Sequence, residues 1–284
     1  MTILQGILLG ILQGVAEFLP ISSSGHLTIA QNLFNLEEVP LLFDVFLHLA
    51  TLAAVCLFFR KKIWNLLKCF GRWITRRPIS ENTTVDTEDL LSGSDELGRK
   101  TIIAIILSTI VTGVIGVVTS KLIPELPVKI ICCGFLVTSA LLILSAILEK
   151  RHSAKTESNT CGLTKKQALF IGLMQGIGTL PGISRSGSTI SGALLCGVDR
   201  KAAGEYSFII SIPAILGAFI LELKDLGEVT ESVGLLPLLF GCLSAFIVGY
   251  LSLALLMKTI RKGKLQWFAC YLIPVAILGL IFLK

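Results

Sequence analysis

Hydrophobic residues in this chain come in long blocks, and the blocks are of two kinds. Six of them, at residues 40–59, 101–120, 127–148, 202–223, 233–257 and 265–283, run close to the ~20 residues a bilayer span requires and predict six transmembrane helices. Two others, 2–36 and 164–198, are apolar at both ends. They are broken in the middle by Pro20-Ile21-Ser22-Ser23-Ser24-Gly25-His26 and by Pro181-Gly182-Ile183-Ser184-Arg185-Ser186-Gly187-Ser188. Such a break leaves backbone polar groups unpaired in lipid, so it is tolerated only where protein or a water-filled cavity surrounds it. Each broken block therefore predicts a re-entrant helix–loop–helix hairpin. The polar connection 60–100 starts with Arg60, Lys61 and Lys62 among Trp64, Phe70 and Trp73, as in a segment lying on an anionic membrane surface. Residues 80–96 then turn rich in Ser, Thr, Asp and Glu, the composition of a flexible loop.

A shift of 162 residues superposes the two broken blocks without a gap. Over residues 2–25, nine of 24 positions are identical, among them Gln5/Gln167, Gln13/Gln175, Ser22/Ser184, Ser24/Ser186 and Gly25/Gly187. Matches clustered at polar positions point to duplication, with repeats over about 2–148 and 164–283. Each half is one hairpin followed by three spans, and an odd number of crossings turns the second half upside down. The expected fold is thus an all-α polytopic membrane protein, one integral-membrane domain over 1–284, built as an inverted-topology repeat whose interrupted segments meet near the midplane. Of the 25 Lys and Arg residues, 20 fall in 60–100, 149–166, 199–201 and 258–264, all on one side of this topology. That excess marks the cytoplasmic face, which makes both termini extracytoplasmic. Counting either hairpin as a full span would split the basic loops between the two faces.

Composition sharpens the picture. The chain is 53% hydrophobic and only 15% charged, against roughly 25% for a soluble domain, and its mean hydropathy is +0.82; a soluble protein is excluded. The net charge of +6 resides in connections between apolar blocks, which argues against a nucleic-acid surface. The eight cysteines (Cys56, Cys69, Cys132, Cys133, Cys161, Cys196, Cys242 and Cys270) include no C-x-x-C pair and lie mostly inside apolar segments, as packed or lipid-facing thiols do. Residues 2–19 lack a basic n-region and a small-residue cleavage site, so no cleavable leader is expected.

Ionisable groups at membrane depth are costly and usually functional. They are Glu17, His26 and Arg185, with Asp44, His48 and Glu205 nearer the ends of spans. Arg185 opens the turn Ser184-Arg185-Ser186-Gly187-Ser188-Thr189, which leads into a helix. Free N–H groups at a helix start, hydroxyls and a guanidinium together suit a phosphate. The alternative is a Glu17–Arg185 pair that pins the hairpins together. The first hairpin repeats the design as Ser22-Ser23-Ser24-Gly25, but Ser23 replaces the arginine and His26 stands where the repeat has Ser188. A serine hydroxyl needs a base before it attacks, and histidine is suited to that role; a capping serine beside a structural histidine would have the same spacing. Gln13 and Glu17, four apart, share a helix face. They could hold a hard divalent cation, Mg²⁺ or Ca²⁺, or Glu17 could act as the base or as the partner of His26. Asp44, His48 and Glu205 either line the cavity's edge or serve as interfacial residues, and Tyr206, Tyr250, Trp267 and Tyr271 read as packing or belt aromatics. An anion site reached between helices fits an amphiphile whose tail stays in lipid. A hydrolase and a polyprenyl-phosphate flippase would both use it.

The motifs running from Gln13 through Glu17-Phe18-Leu19-Pro20-Ile21-Ser22-Ser23-Ser24-Gly25-His26-Leu27, and from Leu180-Pro181-Gly182-Ile183-Ser184-Arg185 through Thr189, resemble those of the bacterial undecaprenyl-diphosphate phosphatases, the bacitracin-resistance proteins. The resemblance runs nearly end to end. It implies an inner-membrane hydrolase that removes the terminal phosphate of the C55 isoprenoid diphosphate, with polyprenyl diphosphate and membrane lipids as its partners. It also implies a catalytic cleft open to the outer face. Within it, Glu17 belongs to the family's (E/Q)-x-x-x-E motif, Ser23 and His26 to the nucleophile and acid/base region, and Arg185 to the diphosphate clamp. The neighbouring Ser22, Ser24, Gly25, Ser184, Ser186, Gly187 and Thr189 are expected to contact phosphate. A divalent cation at Glu17 and Gln13 comes with the resemblance too; many members have a glutamate where this chain has Gln13, which leaves one carboxylate fewer. The expected mechanism has Arg185 holding the diphosphate, Ser23 or a water attacking, and His26 moving the proton. No motif bears on a homodimer.

Overall fold

The computed structural model describes residues 1–34, 36, 41–76, 91–122, 126–153, 162–222 and 233–283, without the side chains of 41, 150–153 and 222. Residues 80–90 of the polar connection and the His152 side chain therefore lie outside the described residues. Every described regular element is a helix. The first broken block gives α1 (Ile3–Ala16) and α2 (Ser23–Leu33), and the uninterrupted block after it gives α3 (Leu41–Phe58). A helix α4 (Arg60–Ile74) follows, then α5 (Asp95–Leu122) and α6 (Val128–Ser153). The second broken block gives α7 (Lys165–Ile177) and α8 (Arg185–Leu195), followed by α9 (Arg200–Glu222), α10 (Leu235–Arg261) and α11 (Trp267–Phe282).

Helix length separates most of the uninterrupted blocks from the broken ones. The exception is the expected span 265–283, which gives only the 16-residue α11, short of a full span like the arms of the broken blocks. At ~1.5 Å per residue the arms of the broken blocks are roughly 17–21 Å long, short of a ~30 Å hydrocarbon core. Among the described helices, α5, α6, α9 and α10 are each long and apolar enough to cross a membrane, and α3 joins them when taken with α4. Outward-facing Leu239, Leu243, Ile247, Leu251 and Leu255 form an exposed i, i+4 stripe down α10, a surface that only lipid suits. The chain is a multi-pass, all-α membrane protein.

The two broken blocks are capped alike. Thr2 and Gln5 form a reciprocal capping box, with Gln5 N donating to Thr2 Oγ1 at 3.2 Å and Thr2 N to Gln5 Oε1 at 2.8 Å; Thr164 and Gln167 repeat it at 3.3 and 2.9 Å. After the break, Ser22 Oγ accepts from Gly25 N at 3.4 Å and Ser184 Oγ from Gly187 N at 3.1 Å, so each serine starts the second arm. The two capping serines differ in backbone conformation. Ser184 is extended at φ −75°, whereas Ser22 sits at φ +70°, a region serine seldom adopts.

Small residues let the short arms press against full-length helices. Gly6, Gly10 and Gly14 of α1 face Pro237, Gly241 and Gly249 of α10, and a Cβ on Gly14 would lie 2.8 Å from Gly249 N and 2.9 Å from Ala245 O. On the other side Gly172 of α7 meets Ser108 of α5. Hydroxyls bridge both contacts: Ser244 Oγ donates to Ile7 O at 3.2 Å, Ser108 Oγ to Ala168 O at 2.6 Å and Thr112 Oγ1 to Gly172 O at 3.0 Å. This is the close packing that membrane helices use in place of the hydrophobic effect. α4 leaves α3 at 80°, with Trp64, Leu67, Phe70 and Ile74 exposed and Leu66 and Cys69 buried. Ion pairs hold it, from Arg72 to Asp95 of α5 and from Lys62 to Glu205 of α9.

Candidate active site

Glu17 follows the last residue of α1, its N–H held by Gln13 O at 2.9 Å, and its side chain is only 5% exposed. Four side chains converge on that carboxylate. Oε1 receives Arg185 Nη2; Oε2 receives Ser23 Oγ–H at 2.7 Å and Gln13 Nε2–H at 3.0 Å, and His48 Nε2 lies 3.3 Å away. Ser23 is the first residue of α2 and Arg185 the first of α8. Positions related by the 162-residue offset thus meet on the two oxygens of one carboxylate. The ion pair read from the sequence as an alternative to a phosphate clamp is formed here. It gives a largely buried guanidinium the counter-charge without which it would be expensive.

Beside this cluster opens a small cleft, with about 10 Å³ of room for a water-sized centre. Glu17, Arg185, Ser186, Ser207, Ser211 and Thr51 give it polar character, and Phe18, Leu52, Val55, Phe208 and Ile215 an apolar wall. Helix geometry adds an electropositive element, because the first-turn N–H groups of Arg185 and Ser186 have no intrahelical partner. A polar head and an apolar neighbour in one cleft match an amphiphile carrying an anion.

Several expected site residues are placed differently. The Ser23–His26 hydrogen bond is not formed: the serine hydroxyl is donated to Glu17, while His26 Nδ1 lies 2.8 Å from Ser22 O and Nε2 3.0 Å from Tyr271 Oη. A carbonyl only accepts, so Nδ1 carries the proton and Nε2 accepts from the tyrosine. The imidazole, packed on Phe135 and Tyr271, is committed on both sides. Thr189 Oγ1 donates to Arg185 O at 2.9 Å and bonds Ser207 Oγ, so its hydroxyl is used within the protein. Ser22 and Ser184 are caps. Ser24 offers its carbonyl to Thr28 Oγ1 at 3.0 Å, Gly25 packs against the Phe135 ring, and Gly187 fits beside Pro20 of the other hairpin. Asp44 accepts from Gln31 Nε2 at 2.8 Å and Glu205 from Lys62. Two neighbours, His48 on Glu17 and Tyr271 on His26, were not legible as such. The i, i+4 pairing of Asp44 and His48 was a partial signal for the first, and nothing local marks the second.

Among the described residues no group of three or more His, Cys, Asp or Glu side chains is placed to hold a metal ion. One feature fits a cation that is shared with a ligand: Gln13 Oε1 is buried without a hydrogen-bond partner, next to the Glu17 carboxylate. Two hard oxygens suit Mg²⁺ or Ca²⁺ when phosphate oxygens complete the shell.

Comparison with known proteins agrees along the whole chain. The family described as bacitracin resistance protein BacA matches residues 6–278. The chain is 47% identical over 277 residues to an undecaprenyl-diphosphatase of Treponema denticola, covering 98% of this chain and 96% of that protein. It is 41% identical to one of Desulfatibacillum aliphaticivorans, with 97% of each covered, and 39% identical to one of Methanobrevibacter smithii, with 95% and 94% covered. Two glycine-rich hairpins that bring a serine and an arginine onto one buried glutamate, in a chain alike from end to end, make this protein a member of the bacitracin resistance protein family.

Proposed function

We propose that this protein is an undecaprenyl-diphosphatase, an integral-membrane hydrolase that removes the terminal phosphate of undecaprenyl diphosphate and returns the monophosphate carrier to cell-wall synthesis. The observation that carries the reading is Ser23 Oγ at 2.7 Å from a carboxylate whose other oxygen is held by Arg185, at the polar end of a cleft with an apolar wall.

The chemistry follows from that arrangement. Glu17 occupies Arg185 as a phosphate would; the arriving diphosphate takes over the guanidinium, which binds phosphate oxygens in a fork. Ser186 and the first-turn N–H groups of α8 complete the anion site. Released from Arg185, Glu17 is the base that removes the Ser23 proton. Ser23 Oγ bonds to the terminal phosphorus as the bond to the bridging oxygen breaks, and undecaprenyl phosphate leaves with the electron pair. Water then displaces Ser23 and frees inorganic phosphate. His26, tied to the Ser22 carbonyl and to Tyr271, holds the turn that presents Ser23. A divalent cation held by Glu17 and Gln13 Oε1 would supply charge neutralisation to the phosphates.

The setting belongs to the same reading. The protein lies in a bacterial inner membrane with its basic connections cytoplasmic, both termini outside and the cleft open to the outer face. Its halves, 2–148 and 164–283, are inverted copies. Phosphate release from C55 diphosphate by detergent-purified protein tests the activity, with and without EDTA, in wild type, Ser23→Ala and Arg185→Ala. Release by the wild type and its loss in both variants is the expected result, and a fall with EDTA would establish the cation. A wild type that binds the lipid through Arg185 but releases nothing under any added cation would overturn the hydrolase in favour of a carrier.

A further inference from the structure

Helix α4 carries three faces. Lys62, Leu66 and Cys69 turn toward the protein, where Cys69 meets Gly98 of α5 and Lys62 pairs with Glu205 of α9. Trp64, Leu67, Gly71 and Ile74 share a second face by the i, i+3, i+4 rule. Its three side chains are 58%, 54% and 65% exposed. Lys61 and Lys68, two turns apart and both exposed, form a third face beside it, with Lys68 Nζ 5.5 Å from the centre of the Trp64 ring. Because α4 leaves α3 at 80°, it lies nearly in the plane of the membrane surface when α3 crosses the membrane. An apolar face for acyl chains, a basic edge for phosphates and an indole between the two are the parts of a helix that lies on a lipid surface.

We propose that α4 is a docking surface for anionic lipid headgroups, and that its seating there fixes α3 against α9 beside the cleft. Charge complementarity selects the occupant. Residues 59–79 carry seven Lys and Arg and no Asp or Glu. A second copy of this chain would bring the same positive edge and no acid from this segment to meet it. A neutral lipid surface would cover the indole and the aliphatic side chains but leave the lysines unmatched. An anionic surface answers both faces at once.

The connection to the cleft is made of contacts within the fold. Phe59, which joins α3 to α4, stacks on Phe208 of α9 at 6.4 Å between ring centres, and Phe208 meets Phe18 edge-on at 5.6 Å, next to Glu17. Lys62 reaches Glu205, two residues before Ser207 and three before Phe208 on α9. Both of those residues line the cleft, as do Thr51 and Val55 of α3. α4 is thus continuous with one wall and ion-paired to the other, and lipid that fixes α4 restrains the two walls together.

The test uses the full chain in phosphatidylcholine vesicles, with and without phosphatidylglycerol at constant total lipid. Trp64 is read alone in the Trp73→Phe/Trp267→Phe protein. Phosphatidylglycerol is expected to shield Trp64 from acrylamide and to raise the melting temperature. It should also raise phosphate release from C55 diphosphate several-fold, an effect that rests on the phosphatase reading above. Lys61→Gln/Lys68→Gln is expected to lose most of all three responses, and added salt should imitate it. Lys165→Gln/Lys166→Gln removes the same charge from the exposed start of α7 and should respond as wild type. Glu205→Gln, which cuts the link from α4 to α9, should keep the shielding and lose the rise in melting temperature. Shielding that is equal in the two kinds of vesicle, or a Lys61→Gln/Lys68→Gln protein that responds as wild type, overturns the anionic surface. Shielding that follows the protein-to-lipid ratio rather than phosphatidylglycerol overturns it in favour of a second copy. A Glu205→Gln protein that keeps the full rise overturns the restraint on the walls. A wild type that releases no phosphate in either vesicle defeats the phosphatase reading, while shielding and melting still decide the role of α4.

Discussion

At the scale of single residues, the site is organised around one carboxylate doing two jobs. In the structure Glu17 satisfies Arg185, and in the proposed reaction it accepts the Ser23 proton. Glu17→Gln separates the two jobs. The amide leaves the guanidinium without its internal anion, so phosphate meets less competition, but an amide does not serve as a base. The expected result is a kcat lowered on the order of 10²-fold or more with KM unchanged or reduced. Arg185→Ala removes a clamp instead and raises KM as well as lowering kcat. Steady-state kinetics on the two proteins, with the fold checked by their melting transitions, decide the matter; a Glu17→Gln enzyme with a raised KM and intact kcat would contradict the assigned roles. Glu17, Ser23 and Arg185 were legible in the sequence because ionisable and hydroxyl groups stand out against apolar neighbours. The partner of Ser23 was not. A spacing of three residues suggested His26, but the first helical turn of α2 aims the imidazole back at the Ser22 carbonyl and leaves the hydroxyl facing α1.

At the scale of elements, the short arms stay in place because glycine lets them approach full-length helices more closely than any side chain would. Gly14 of α1 is the clearest case, since a Cβ there would lie 2.8 Å from backbone nitrogen of Gly249, an atom that has no rotamer to give way. Gly14→Leu is therefore expected to destabilise the protein by about 1–3 kcal/mol through overpacking and, with Glu17 only three residues on, to lower activity. Gly113→Leu on the exposed face of α5, where nothing lies within 4 Å, is the matched control and should melt like wild type. Thermal unfolding in detergent checks both; a Gly14→Leu protein as stable as the control would mean that the α1–α10 contact is looser than described. α4 was read only as a membrane-surface segment of the polar connection. The helices of the apolar blocks were readable from block length and from the capping residues Thr2, Ser22, Thr164 and Ser184. Their starts were less so: α5 begins at Asp95 rather than at 101, because Asp95 is neutralised by Arg72 across a connection whose return no local pattern records.

At the scale of the whole molecule, charge and the crossing pattern make a joint claim about sidedness. Arg72–Asp95, Lys62–Glu205 and Arg200–Glu149 are ion pairs among the ends of α4, α5, α6 and α9, and the same ends carry the basic connections. The ion pairs hold these ends together, and on the proposed topology, in which each hairpin enters and leaves by one face, the excess of Lys and Arg assigns them to the cytoplasm. On the proposed topology the N- and C-termini lie outside, and so does the mouth of the cleft. This arrangement is tested in intact cells with short epitope tags at Met1, after Lys284 and within 80–90. The terminal tags should react with an impermeant reagent before permeabilisation and the internal tag only afterwards. Reversal of all three would turn the molecule over and move the cleft to the cytoplasmic face. A split between the two termini would be more damaging, because it requires one hairpin to cross the membrane. The 11-residue α2 and α8 are too short for that on their own, so such a result would also undo the pairing of Ser23 and Arg185 as equivalent positions of an inverted repeat.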